Sequence, residues 1–396
     1  MLLTGPRLGA AVLGLSVDQL VAWGVLYYAY TILSQPIASD LGVSRLVVAA
    51  AFSVCLLVAG WVGRRLGPVL DARGTQQALR IGAILAPLAF AAIAGASGAV
   101  ALVVTFALVG VAQALTLYEP AFRTIVDWCP EERARTRAML LLTSIGGFAS
   151  IIFLPLTSWL VVNHGWRTSV LVLAGLLAVV LIPSRFMLPT SKRGHPRAPI
   201  PSVPTPRSAR VLAVGLALHS LASTGVFVYL IWHLVERGQS LAGAAAVAGV
   251  AGAAQVPGRL LAAPLRRIVG PAGFLPLLLG IQAVALLGVV VGRGTPATAC
   301  VLILGAASGM MTLERATVLV EWYGREAFGA HQGRLGSATS AARAASPFVV
   351  EAAHHVASYA TVFGLLSVML AAGALICTGA ARIRQTERRG RCQPER

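Results

Sequence analysis

Apolar residues in this chain run in long unbroken stretches, separated by short connections rich in arginine. A helix rises about 1.5 Å per residue, so about 20 apolar residues cross a hydrocarbon core of about 30 Å. On that rule the pattern predicts about twelve membrane-spanning helices. Six fall at roughly 10–33, 44–66, 77–95, 98–122, 137–162 and 167–188. The other six fall at roughly 210–235, 241–263, 271–292, 296–320, 333–357 and 359–381.

Between the two sets lies "SRFMLPTSKRGHPRAPIPSVPTPRSAR", residues 184–210. Pro189, Pro196, Pro199, Pro201, Pro204 and Pro206 forbid a continuous helix there, and the basic residues hold it in water. The organisation expected is a six-helix bundle over 1–183, a linker over 184–209, a second six-helix bundle over 210–381 and a basic tail over 382–396. The fold class is therefore all-α and membrane-embedded, with two bundles of six helices.

Composition sharpens this. Residues are 57% hydrophobic and 12% charged, about half the charge of a soluble domain. A net charge of +18 would raise nucleic-acid binding in a soluble chain, but here the arginines mark topology. Arg64, Arg65, Arg73, Arg80, Arg133, Arg135, Arg137, the linker, Arg266, Arg267, Arg325, Arg334 and the tail fall on one set of connections. Only Arg45, Arg167, Arg237 and Arg293 fall on the other set. Both termini and the linker are thus expected in the cytoplasm, which requires an even number of spans. The first apolar run is too long for a signal-peptide core and is expected to stay as the first span. Cys55, Cys129, Cys300, Cys377 and Cys392 show no metal or disulfide spacing, so no metal and no cofactor is expected.

A weak internal repeat links the halves: "YEPAFRTIVDWCPEE" (118–132) and "TLERATVLVEWYGRE" (312–326) match at Asp127-Trp128 and Glu321-Trp322. After the second span comes "GPVLDARG", in which Gly67, Asp71 and Gly74 have the spacing G-x3-D-x2-G. Its degenerate second copy, "GRLLAAPLRRIVG", keeps Gly258 and Gly270. With this motif in that loop of a twelve-span chain, the protein resembles the major facilitator superfamily, over nearly its whole length. The basic residues that usually follow the last glycine are replaced by Thr75, Gln76 and Gln77. The end of the first span, "YYAYTILSQPIASDLGVSR", is similar to the monocarboxylate-porter and oxalate/formate-exchanger branches. The resemblance implies two bundles that rock about a shared cavity, and a protein that works as a monomer. It also implies a cytoplasmic charge network in which Asp71 and Arg123 latch one conformation; a helix-capping Asp71 is the alternative.

A few polar groups sit inside the oil. Asp18, in "SVDQLVAWGVLYYAY", would cost on the order of 2.5–3.5 kcal/mol if ionised mid-bilayer. It is read either as a proton carrier or as an aspartate fixed between helices. Gln19 and Trp23 share a face with Tyr30 within about 40° and are candidates to line a substrate path, with Tyr30 an interface anchor. Gln113 lies deep in the fourth span. In the seventh, His219 and Ser223 share a face; His219 could relay protons, or be a neutral core histidine. Arg343, about 15 Å into the eleventh span, needs a carboxylate, carbonyls or an anionic ligand. Towards the cytoplasmic ends, Glu119 and Arg123 can pair at i,i+4, whereas adjacent Glu314 and Arg315 need separate partners. Arg259 belongs with the degenerate motif.

The function expected is secondary active transport of a small organic solute, anionic because of Arg343. Gln19, Trp23, Gln113, His219, Ser223 and Arg343 would bind the substrate, and protons carried by Asp18 and His219 would drive it. Its setting is a cytoplasmic (inner) membrane. A drug or metabolite exporter of the same superfamily is an alternative, as is a transporter-like receptor that moves nothing. No nucleophile–base pair or nucleotide loop suggests an enzyme.

Overall fold

The structure, a computed structural model, describes residues 6–129, 131–187 and 206–391. Within them the backbone is helical almost throughout, as a hydrocarbon environment demands, since only a helix satisfies its own N–H and C=O groups in one span. Thirteen α-helices are described: α1 (Pro6–Trp23), α2 (Ala29–Leu41), α3 (Arg45–Arg73), α4 (Gln76–Ala92), α5 (Ala99–Thr116), α6 (Tyr118–Trp128) and α7 (Glu132–Gly147). They continue as α8 (Ala149–Met187), α9 (Arg207–Glu236), α10 (Leu241–Val269), α11 (Pro271–Val291), α12 (Gly294–His354) and α13 (Tyr359–Arg391).

Among the described residues, ten helices are long and apolar enough to cross a membrane. One of them, Glu132–Met187, is 56 residues long, which at about 1.5 Å per residue is more than twice a hydrocarbon core. It breaks at Gly165, whose φ of 75° and ψ of 166° only glycine adopts without strain. Two passes therefore fit within it. The 61 residues of α12 likewise exceed one pass, so the helix inventory is consistent with twelve spans.

The chain divides into two compact units, Met1–Ala198 with Arg237–Gly252, and Pro199–Glu236 with Ala253–Arg396. In the first unit α3 packs on α5, and α4 on α5 and α8. In the second, α9 packs on α12 and α13, and α11 on both as well. Glycine sets the closest approaches. A Cβ on Gly110 of α5 would overlap the Cys55 carbonyl oxygen of α3. In the second unit a Cβ on Gly309 would overlap the Gln255 carbonyl, and one on Gly258 the Ala306 carbonyl. Gly74 and Gly270 end α3 and α10 in matching conformations, φ 81° with ψ 166° and φ 86° with ψ 154°. The backbone repeats even where the acidic residue of the motif does not.

Candidate functional site

The first span is not one regular helix. Between α1 and α2 residues Gly24–Tyr28 form a π-helical turn, a feature frequent at functional sites. Gly24 faces the Phe153 ring so closely that any Cβ would collide with it. The Leu26 carbonyl within the turn accepts a 2.7 Å hydrogen bond from Gln113 Nε2 of α5.

Gln19 makes the reciprocal tie. Its Nε2 donates at 2.7 Å to the Thr116 carbonyl, at the end of α5. The helical donor for that carbonyl would come from residue 120, which is proline and has no N–H. Gln19 supplies the missing donor. Substituting leucine at Gln19 should therefore leave a buried carbonyl unsatisfied and lower stability by about 1–3 kcal/mol, read as a drop in Tm in detergent. Trp23, one turn on, packs against Tyr27 at 5.4 Å and Tyr118 at 4.9 Å between ring centroids. Gln19 Oε1 and Trp23 Nε1 have no hydrogen-bond partner among the described residues.

Asp18 points elsewhere. Its Oδ2 accepts a 2.8 Å hydrogen bond from the Ser184 hydroxyl and lies 3.3 Å from Arg185 Nε. Both side chains of the pair are 1% exposed. The guanidinium makes a charge contact without an aligned hydrogen bond, and Asp18 Oδ1 has no partner among the described residues. Arg185 falls in the stretch read above as a watery linker; α8 instead carries it to within two residues of the helix end, fully buried.

In the second unit His219 of α9 is buried, with Nε2 3.2 Å from Gln282 Oε1 of α11. The Ser308 hydroxyl donates to the same oxygen at 3.3 Å. Ser223 lies half-buried one turn from His219. Arg315 donates to Thr339 Oγ1 at 3.2 Å, while Glu314 is taken by Arg266 Nε at 2.8 Å. The adjacent pair thus has separate partners.

Arg343 is exposed. At 100° per residue it falls within about 40° of Thr339, Pro347 and Val350, all buried, and about 120° or more from exposed Phe348 and Val349. The helix is braced there by Tyr229, whose hydroxyl donates to the Pro347 carbonyl at 2.9 Å, and by Ser346, whose hydroxyl donates to the Leu221 carbonyl at 2.7 Å. No carboxylate lies within ion-pair distance of Arg315 or Arg343 among the described residues.

Around the loop motif, Gly74 makes the positive-φ turn and Glu119 pairs with Arg123 at 3.2 Å. Gly67 and Asp71 lie on the α3 backbone, but the surroundings of Asp71 fall outside the described residues. Arg259 is half-buried on α10. Gln282, Ser308, Thr339 and Arg185 were not singled out by the sequence. Their only signal was a polar residue inside or at the edge of a predicted span.

The Major Facilitator Superfamily profile matches residues 19–313, most of the chain. The chain belongs to that superfamily. It is 28% identical over 266 residues, 62% of its length, to human monocarboxylate transporter 11, and spans about half of that relative (55%). Its fold matches a bacterial homolog of the human lysosomal transporter Spinster in an inward-facing, unoccupied conformation. The TM-score is 0.77 at 15% identity, covering 97% of this chain and 99% of that one. A peptide transporter, POT, in complex with sulfate matches equally well, with a TM-score of 0.77 at 15% identity over 95% of each chain. A member of this superfamily is a multi-pass membrane protein of a family of transporters, which sets its surroundings as the lipid bilayer.

Proposed function

We propose that this superfamily member is a secondary active transporter that moves a small organic anion across the cytoplasmic membrane by alternating access, with both termini in the cytoplasm. The observation that carries the reading is Arg343: a guanidinium on α12, exposed and without a carboxylate partner among the described residues, in the stretch expected from the sequence to be the eleventh span. A guanidinium does not lose its proton, so a bound anion would find its charge intact there. The printed name of the human relative, a monocarboxylate transporter, supports the same class. Asp18, sealed against Arg185, serves the fold; His219 is the group to which we assign the coupling proton. A proton there would add positive charge within the second unit, so proton and anion would favour each other's binding.

Uptake of organic anions into proteoliposomes, with and without an inward proton gradient, tests this. Arg343→Gln should reduce uptake by about 100-fold, and Arg343→Lys should keep more of it. Uptake unchanged by Arg343→Gln, or no counterflow for any anion, would remove the reading.

A further inference from the structure

We infer that the coupling proton arrives on one atom, Nδ1 of His219, and that Gln282 is the positioning residue that keeps this atom open to receive it. This rests on the assignment of the coupling proton to His219 and goes beyond it by naming the atom and what selects it.

A neutral imidazole has one N–H, and the partner of each nitrogen decides which one carries it. His219 Nε2 lies 3.2 Å from Gln282 Oε1, and the Ser308 hydroxyl donates to that same oxygen at 3.3 Å. The other end of the amide fixes its orientation, since Gln282 Nε2 donates to the Leu278 carbonyl at 3.3 Å, one turn back on α11. Turning the amide over would set two carbonyl oxygens against each other there. The atom facing His219 is therefore an oxygen, which only accepts. Nε2 bears the hydrogen, and Nδ1 keeps the lone pair.

Nδ1 is buried and has no hydrogen-bond partner among the described residues. A buried acceptor left open costs about 1–3 kcal/mol, and such groups are few in folded proteins. Here the cost has a use. A proton can add at Nδ1 while Nε2–H still donates to Gln282, so no contact breaks when the charge arrives. On the surrounding helices, α11 carries no charged side chain and α13 none before Arg382. Those well inside the expected spans of α12 are Glu314, Arg315, Arg343 and Glu351; Glu314 is taken by Arg266, and Glu351 accepts from the Tyr359 hydroxyl at 3.1 Å. On α9 itself, His233 stands about four turns away.

Nitrogen NMR of the full-length protein, labelled at histidine and reconstituted in lipid, reads the tautomer, with His219→Asn identifying the signals. At neutral pH, Nε2 should carry a bonded hydrogen and Nδ1 none, and Nδ1 should gain one as the pH falls. Proton-driven uptake into proteoliposomes is the second readout. Gln282→Glu keeps the acceptor and adds a charge that favours the imidazolium, so the pH of half-maximal uptake should rise by about one unit or more. Gln282→Leu removes the acceptor, so that pH should fall and hydrogen should appear on Nδ1. A native spectrum with the hydrogen on Nδ1 would overturn the tautomer inference alone. So would a Gln282→Glu variant with a lower maximal rate and an unmoved midpoint, the mark of a residue that only braces the helices. Uptake by the native protein that ignores the proton gradient would overturn the inference together with the assignment of the coupling proton to His219.

Discussion

Replacing Arg185 by glutamine is expected to lower the unfolding free energy by about 3–5 kcal/mol, and adding Asp18→Asn to the same chain should recover most of it. The two side chains are shut from water and meet at 3.3 Å, so removing one strands the other's charge in the bundle. Removing both leaves neutral groups that Ser184 can still bridge, because its hydroxyl already reaches Asp18 Oδ2. A double-mutant cycle on unfolding in detergent measures this, and the pair couples α1 to the last turn of α8. Two single variants that each cost less than about 1 kcal/mol, with no coupling between them, would return Asp18 to candidacy as a proton carrier.

Asp18 was visible in the sequence for the same reason it is costly: a charge in an apolar run stands out by itself. Its partner was not, because Arg185 lies 167 residues away beside a proline-rich stretch whose composition reads as water-exposed. Composition reports the average of a segment, and one side chain can depart from it if a helix continues two residues further. Separation along the chain, though shorter, likewise hid Gln282 and Ser308 from His219 and Thr339 from Arg315. Spans were legible because bilayer thickness sets a length that hydropathy can count. The Gly165 break fell in the expected gap between 162 and 167, where the apolar run is interrupted by Asn163, His164 and Arg167. Nothing in "GVLYY" announced a π-helical turn, since one extra residue per turn leaves no compositional trace. What fixes it lies in other helices: the Phe153 ring against Gly24 and the Gln113 amide on Leu26.

Bulk at Gly110 or Gly309 is expected to be the costliest small change in either unit. At both positions a Cβ would overlap a backbone carbonyl of the facing helix, Cys55 for Gly110 and Gln255 for Gly309. A backbone carbonyl cannot swing aside as a side-chain tip can, so the helices must part along their length and give up contacts on both sides. Gly110→Leu and Gly309→Leu should each cost about 3 kcal/mol or more, enough to cut the yield of folded protein and lower Tm by several degrees. Gly175→Leu is the matched control: the same substitution in α8, where a Cβ meets nothing within 4 Å. Helix propensity alone should make that variant neutral or stabilising by up to about 1 kcal/mol. If all three variants behaved alike, the loss would belong to glycine's removal as such and not to the seam. A loss confined to Gly110 and Gly309 would show that the two units, whose sequences share little beyond an acidic residue and a tryptophan, keep one packing device: a glycine on the fourth helix of each half against a carbonyl on the second.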